Sequence, residues 1–229
     1  MALAAPSGTD EERAARRLIE QMSTILSGLR DDIPDGFARA LFAGAAPEDL
    51  LQYEPREIAA LAEDAWALLQ ERKPGTPKVR VDSRAGPIGA ERIKLVSIIE
   101  IVNDDMPFLL DSVLAELTEQ GIDVRLVVHP IFTVERDHSG LLFAFRGNAP
   151  AEGGALRESF IHVHTARIET EARESEIAQA LEQVLGEVSL CVRDWRPMLG
   201  RIEGIIGDLK KDPPPLPVEE IAEAVQLLK

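Results

Sequence analysis

The chain predicts an α+β fold, an antiparallel sheet with helices on one face, preceded by a small helical region. Three observations carry this. Apolar residues recur at helical spacing before about residue 70 and again after about residue 170. Between them the pattern reads strand, acidic loop, helix, strand, hairpin strand, strand, helix. A breaker cluster, Lys73-Pro74-Gly75-Thr76-Pro77, divides the first part from the second. The organisation expected is therefore a helical region over 1–75, an α+β domain with a long C-terminal helix over 76–211, and a Pro-rich linker with the start of a truncated helix over 212–229.

The first helix opens at Thr9-Asp10-Glu11-Glu12, the spacing of a capping box, and carries Leu18, Met22, Ile25 and Leu29 behind it. Pro34 and Pro47 divide shorter helical pieces. Arg56 to Gln70 is a further helix with Ile58, Leu61, Ala62, Ala65, Trp66 and Leu69 on one face.

Lys78 to Asp82 is a short strand, followed by a loop at Ala85-Gly86-Pro87-Ile88-Gly89. In the run Ile93 to Val102, Ile93, Leu95, Ile99 and Ile101 share one face, while Val96, Ile98 and Val102 make the other apolar too. A strand apolar on both faces is central and covered on both sides. The acidic loop Asn103-Asp104-Asp105-Met106-Pro107-Phe108 then leads into a helix ending at Gly121, the expected C-terminal stop. Asp105 is placed to cap that helix, with Pro107 in its first turn, and Leu110, Val113, Leu114 and Leu117 form its stripe. Asp123 to Arg136 reads as one long strand with Val124, Leu126, Val128, Phe132 and Val134 on one side and a bulge or edge at Pro130. Asp137-His138-Ser139-Gly140 is a hairpin turn into Leu141–Phe145, and Ser159 to Arg167 is the last strand.

Ile177, Leu181, Val184, Val188, Val192, Trp195, Leu199, Ile202, Ile206 and Leu209 keep helical spacing, with Pro197 kinking or splitting the run. Asp212-Pro213-Pro214-Pro215-Leu216-Pro217 is a stiff linker, and Val218 to Lys229 begins an amphipathic helix that stops without a cap.

The formal charge of −15 offers no basic stripe for nucleic acid or an anionic membrane surface. No apolar run approaches the roughly 20 residues that span a bilayer. The N-terminus has neither a basic start nor a secretory core. The single cysteine, Cys191, allows no internal disulfide, which suits a cytoplasmic setting, and its helical context predicts buried packing.

Candidate chemistry is sparse. The loop Asn103–Phe108 reads either as a well-capped strand-to-helix turn or as an effector or interface loop, since helix N-termini offer unpaired donors. His162 and His164, two apart in a strand, emerge on one face, and His129 on another strand could approach them. They are weak candidates for zinc without a further ligand, and the plainer reading is polar strand residues at an interface or a solvated face. Gly200, Gly204 and Gly207 lie in a helical pattern, not in a dinucleotide-binding turn. No P-loop, G-x-S-x-G or H-E-x-x-H occurs. No catalytic residue, cofactor-binding residue or metal ligand is therefore assigned.

The segment Asn103 to Val113, followed by Gly121-Ile122 and Val127-Val128-His129-Pro130, resembles the amino-terminal region of the large bacterial NAD-dependent glutamate dehydrogenases. Ala65-Trp66, Arg72-Lys73-Pro74-Gly75 with Val79-Arg80-Val81, Arg136-Asp137 with Gly140, and Asp194-Trp195 agree with it, so the resemblance covers roughly residues 55–200. It implies an ACT-like (ferredoxin-like) domain, a ligand at the turn after the first strand, and sheets paired side by side across a dimer. It implies further that this is a non-catalytic regulatory or assembly piece of a longer enzyme, with NAD in the parent and none here. Its partners would be the parent's remaining domains and further copies of itself. An amino-acid sensor is the alternative. One departure bears on that alternative: where amino-acid-binding members carry glycine after the proline, this chain has Phe108, which would fill the ligand's space or act as a lid.

Overall fold

Helix α1 (Asp10–Leu29) starts where Thr9 accepts from the Glu12 N–H and Glu12 reaches back to the Thr9 N–H, which satisfies two donors that a helix start leaves open. The structure is a computed structural model that describes residues 9–83 and 96–228. The buried stripe of α1 is Ala15, Leu18, Met22 and Leu26; Leu29, expected on that stripe, faces solvent. Two short helices follow, α2 (Phe37–Phe42) and α3 (Pro47–Leu50), then α4 (Pro55–Leu69), whose start is closed by Glu57 accepting from the Glu54 N–H.

The sheet contains β1 (Lys78–Asp82), β2 (Val96–Asp104), β3 (Val124–Val128), β4 (Ile131–Arg136), β5 (Leu142–Phe145) and β6 (Leu156–Ala166). Its path is β1-β2-β6-β4-β5, with β3 also pairing β6, and every pairing is antiparallel. The expected long strand from Asp123 divides at Pro130. Both halves lie along the same side of β6: β4 against Leu156–Ser159, β3 against His162–Thr165. Pro130 has no N–H to donate, but its carbonyl accepts from the Phe160 N–H at 2.9 Å and holds the corner. The loop over 85–89 and residues Ile93 and Leu95 lie outside the described residues.

Alternation along β2 and β6 gives the sheet two buried faces. Val96, Ile98 and Val102 of β2, Phe160 of β6, Leu126, Val128, Phe132 and Val134 join one core with α1, α2 and α4. Phe37 is the hinge of that core, in ring contact with Trp66, Phe132 and Phe145. On the opposite face Ile99, Ile101, Ile161 and Val163 are equally buried. The stripes left to cover them are Leu109, Val113 and Leu117 of α5 (Leu109–Glu119) and Ile177, Leu181 and Leu185 of α6 (Glu171–Lys211). Thus α5 and the part of α6 up to Leu185 form the expected helical layer, and the N-terminal helices cover the second face. That is the physical reason β2 is apolar on both sides. The α5 stripe is set by Leu109, with Leu110 only partly covered.

The chain separates into two compact units, 1–185 and 186–229, a division that falls inside α6 and not at the Lys73–Pro77 breaker. Pro197 lies within α6 without splitting it. In the second unit Cys191 is exposed, which corrects the expectation that it packs in a core. Helix α7 (Val218–Leu227) has no buried residue.

Candidate functional site

Two clusters of polar groups in the first unit lie between the sheet and the N-terminal helices. The first begins where α4 ends. Arg72 extends from that helix alongside the hairpin, its N–H donating to Gly140 O at 2.9 Å, while the Leu142 N–H donates to Gln70 O at 2.8 Å. Gly140 closes the turn at φ +96°, and Asp137 holds the turn by accepting from the Ser139 and Leu141 N–H groups. The Arg72 guanidinium, 1% exposed, donates to Glu158 Oε1 (3.0 Å from Nε, 2.7 Å from Nη2), to Thr76 O at 3.0 Å and to Asp104. Arg136 donates to the same carboxylate, Nε to Oε1 and Nη2 to Oε2, both 2.7 Å. It also donates to Leu69 O and Gly140 O, each at 3.0 Å. Lys78 Nζ donates to Leu68 O and Glu71 O, and burial lowers its pKa. Cations thereby satisfy the open carbonyls at the negative end of α4.

This cluster sets the role of the acidic loop. Asp104 accepts from Arg72 and, at 3.0 Å, from the Gly75 N–H. Asp105 does not cap α5, contrary to the sequence expectation: its Oδ2 takes the Arg157 Nε at 3.0 Å and its N–H donates to Arg157 O. The helix starts later, with Phe108 in the N-cap position, no side-chain cap, and Pro107 ahead of its first turn. Both acids of the loop are thus matched by arginines. Met106 and Pro107 bridge to Phe108, which sits at φ +71°, the only non-glycine residue with positive φ among the described residues. Phe108 is 66% exposed. Asn103, by contrast, is buried, and its Nδ2 finds no partner.

The second cluster is a row of side chains across the same face. His162 Nδ1 lies 2.9 Å from Glu100 Oε1, its Nε2 lies 2.8 Å from His164 Nε2, and His164 Nδ1 lies 2.6 Å from the Tyr53 hydroxyl. Arg80 Nε donates to Glu100 Oε2 at 2.9 Å and its Nη2 to Asp64 O at 2.8 Å. Burial pushes Glu100 up, but the hydrogen bond and charge of His162, with Arg80, hold the carboxyl below its ordinary value. Burial, aided by His162, pushes His164 well below the usual imidazole value. The two histidines are wholly buried, not on a solvated face. His129 does not join them: it meets Ser159 Oγ, on the opposite face of β6, and burial lowers its pKa against the opposing pull of Asp105 and Asp111. Among the described residues no group of three or more His, Cys, Asp or Glu stands placed to hold a metal ion.

Residues 37–181 match the sequence family described as glutamate dehydrogenase, ACT1 domain. The chain belongs to this family. The NAD-specific glutamate dehydrogenase of Halomonas elongata is 29% identical over 210 residues, 89% of this chain and 13% of that protein. The enzyme of the same name from Pseudomonas aeruginosa is 25% identical over 194 residues, 84% of this chain and 12% of that protein. The chain therefore spans about an eighth of the length of these curated relatives. Within the ACT1 domain, the pieces that carry the resemblance (Arg72 with Gly75, Asp104 of the loop, Arg136 with Gly140) meet in space at the Glu158 carboxylate.

A nicotinamide dinucleotide does not fit the described residues of this ACT1 domain. Its pyrophosphate needs a glycine-rich turn from a parallel strand into a helix. Here the sheet is antiparallel, the turn from β2 into α5 carries Asp104 and Asp105, and neither that turn nor the connection from β6 to α6 contains a glycine. Gly200, Gly204 and Gly207 lie inside α6. No described helix is long and apolar enough to cross a membrane.

What sequence reasoning missed was the pairing. Glu100 stands inside Ile98-Ile99-Glu100-Ile101-Val102, and a charge within an apolar run signals a buried partner. Glu158, Arg72 and Arg136 gave no comparable pattern, because the partners are 86 and 22 residues apart. The strain at Phe108 gives a direct test. Phe108→Gly is expected to raise the unfolding free energy by about 1 kcal/mol, since αL costs a non-glycine residue roughly 1–2 kcal/mol and glycine returns some entropy to the unfolded chain. Urea denaturation measures it; a loss of stability would mean that the exposed ring contributes packing.

Proposed function

We propose that this chain is a non-catalytic regulatory or assembly region at the amino-terminal end of a large, cytosolic NAD-dependent glutamate dehydrogenase. The parent enzyme would oxidise glutamate to 2-oxoglutarate and ammonia, reducing NAD, with both reactants held by other domains. The single observation supporting this reading is how the ACT1 signature residues are used. Arg72, Asp104, Arg136 and Gly140 are consumed in binding helix to sheet around Glu158, which leaves none of them free for a substrate. Incubated with glutamate and NAD, the purified chain is expected to produce no NADH and to show no micromolar affinity for NAD by calorimetry. Turnover, or such binding, would refute the reading.

One observation favours a second reading, an amino-acid-binding module. The buried Nδ2 of Asn103 lacks a partner at the foot of the loop, and the exposed Phe108 leaves the backbone there open. A ligand that binds only the folded chain raises its melting temperature by mass action. A thermal-shift screen over the amino acids and 2-oxoglutarate separates the readings: assembly predicts a flat screen, sensing a dose-dependent rise that Asn103→Ala removes.

A further inference from the structure

The row from Glu100 to Tyr53 has hydrogen-bond directions that are determined throughout. An ionised Glu100 only accepts, so His162 Nδ1 carries a proton. The two Nε2 atoms, 2.8 Å apart, share one proton. With both rings neutral, His162 Nε2 is bare and His164 Nε2 carries the hydrogen. His164 Nδ1 then accepts from the Tyr53 hydroxyl. Every polar atom of the row is satisfied in this single arrangement.

One added proton reverses half of it. Placed on His162, whose Nδ1 already lies 2.9 Å from the Glu100 carboxylate, it makes His162 Nε2 a donor. His164 must then accept at Nε2 and carry its own hydrogen on Nδ1, now donating to the Tyr53 oxygen. A second proton would set two N–H groups against each other across 2.8 Å, and the row excludes it. We propose that this row is a one-proton switch that couples pH to the seam between the helical region and the sheet, by turning Tyr53 from donor to acceptor.

The groups facing the row come from the flanking strands and from the N-terminal helices. From β3 Leu126 and Val128 pair alongside, from β2 come Ile98 and Glu100, and from β1 come Arg80 and the carboxylate of Asp82, which shares this face beside Ile98. From the helices come Tyr53 and the Phe42 ring, whose centroids lie 5.0 Å from His164 and 5.8 Å from His162. Further along the face, Glu158 is saturated by Arg72 and Arg136, and the buried Glu57 is engaged at the start of α4. Because His164 is held well below 6.5, the unfolded chain takes up protons first as pH falls. Folding stability is then full above about pH 6.5 and declines below it.

Long-range 15N–1H spectra of the histidine rings between pH 8 and 5 test the proposal on the unmodified chain. At pH 8 His164 is expected to carry its hydrogen on Nε2. As His162 gains its second proton, the His164 hydrogen moves to Nδ1 with the same midpoint. A His164 ring that keeps its Nε2 hydrogen while His162 titrates, two rings that titrate independently, or no titration before unfolding would each overturn the switch.

Discussion

Glu158→Gln is expected to lower the unfolding free energy by about 3–5 kcal/mol, the cost of removing one member of a buried ion pair. The carboxylate is fully buried and faces two guanidinium groups that are themselves 1% and 0% exposed. Glutamine keeps the shape and one acceptor oxygen but none of the charge, so both arginines remain buried with Asp104 as the nearest balancing acid, 38% exposed and shared with the Gly75 N–H. Since a domain's total stability is only about 5–15 kcal/mol, this variant is expected to lie near its folding limit at 37 °C. Urea denaturation of Glu158→Gln beside Glu135→Gln makes the comparison sharp. Glu135 pairs with Arg146 at the surface, where such a pair is worth roughly 0–1 kcal/mol. Equal losses in the two variants would show that the buried cluster is a bystander.

The second large effect is expected at Gly140. A Cβ there would lie 2.7 Å from the Arg72 carbonyl oxygen and 2.9 Å from its carbon, backbone atoms that cannot rotate away. At φ +96° a side chain is strained as well. Strain of about 1–3 kcal/mol and crowding of about 1–3 kcal/mol together place Gly140→Ala at roughly 2–4 kcal/mol of destabilisation. Gly121 supplies the control: it also has positive φ, +70°, but a Cβ there meets nothing within 4 Å. Gly121→Ala should therefore lose only the strain, about 1 kcal/mol. Thermal unfolding of both variants reads the difference; comparable losses would mean that the contact between Arg72 and the hairpin does not constrain the fold.

Periodicity reached the elements because it reports burial: α4, β2 and β4 bury largely apolar sides, while β6 buries Phe160, Ile161 and Val163 beside Glu158, His162 and His164. The same signal misplaced what burial alone does not decide. Asp105 has the chemistry of an N-cap, yet Arg157, 52 residues away, claims it and the helix starts at Leu109. Cys191 shares the helical spacing of Val188 and Val192 but lies on an exposed side of α6. The two histidines were legible as neighbours on one strand face. Their partners Glu100 and Tyr53 were not, being 62 and 111 residues distant. The second helical layer was likewise only half visible. An apolar second face on β2 requires a cover, but nothing local says that the cover is the amino-terminal third of the same chain.

That cover changes how the region is best understood. The described part of the helical region, from Thr9 onward, shares a hydrophobic core with the sheet and closes over both polar clusters.

Native-state hydrogen exchange tests this claim most directly. Amides of Leu61, Ala62 and Ala65 in α4 and of Ile161 and Val163 in β6 are expected to exchange through one opening, with the same free energy and the same dependence on denaturant. Exchange in α4 at a free energy lower by about 2 kcal/mol or more, with a small denaturant slope, would show that the helices detach from a sheet that stays folded, and would contradict the account.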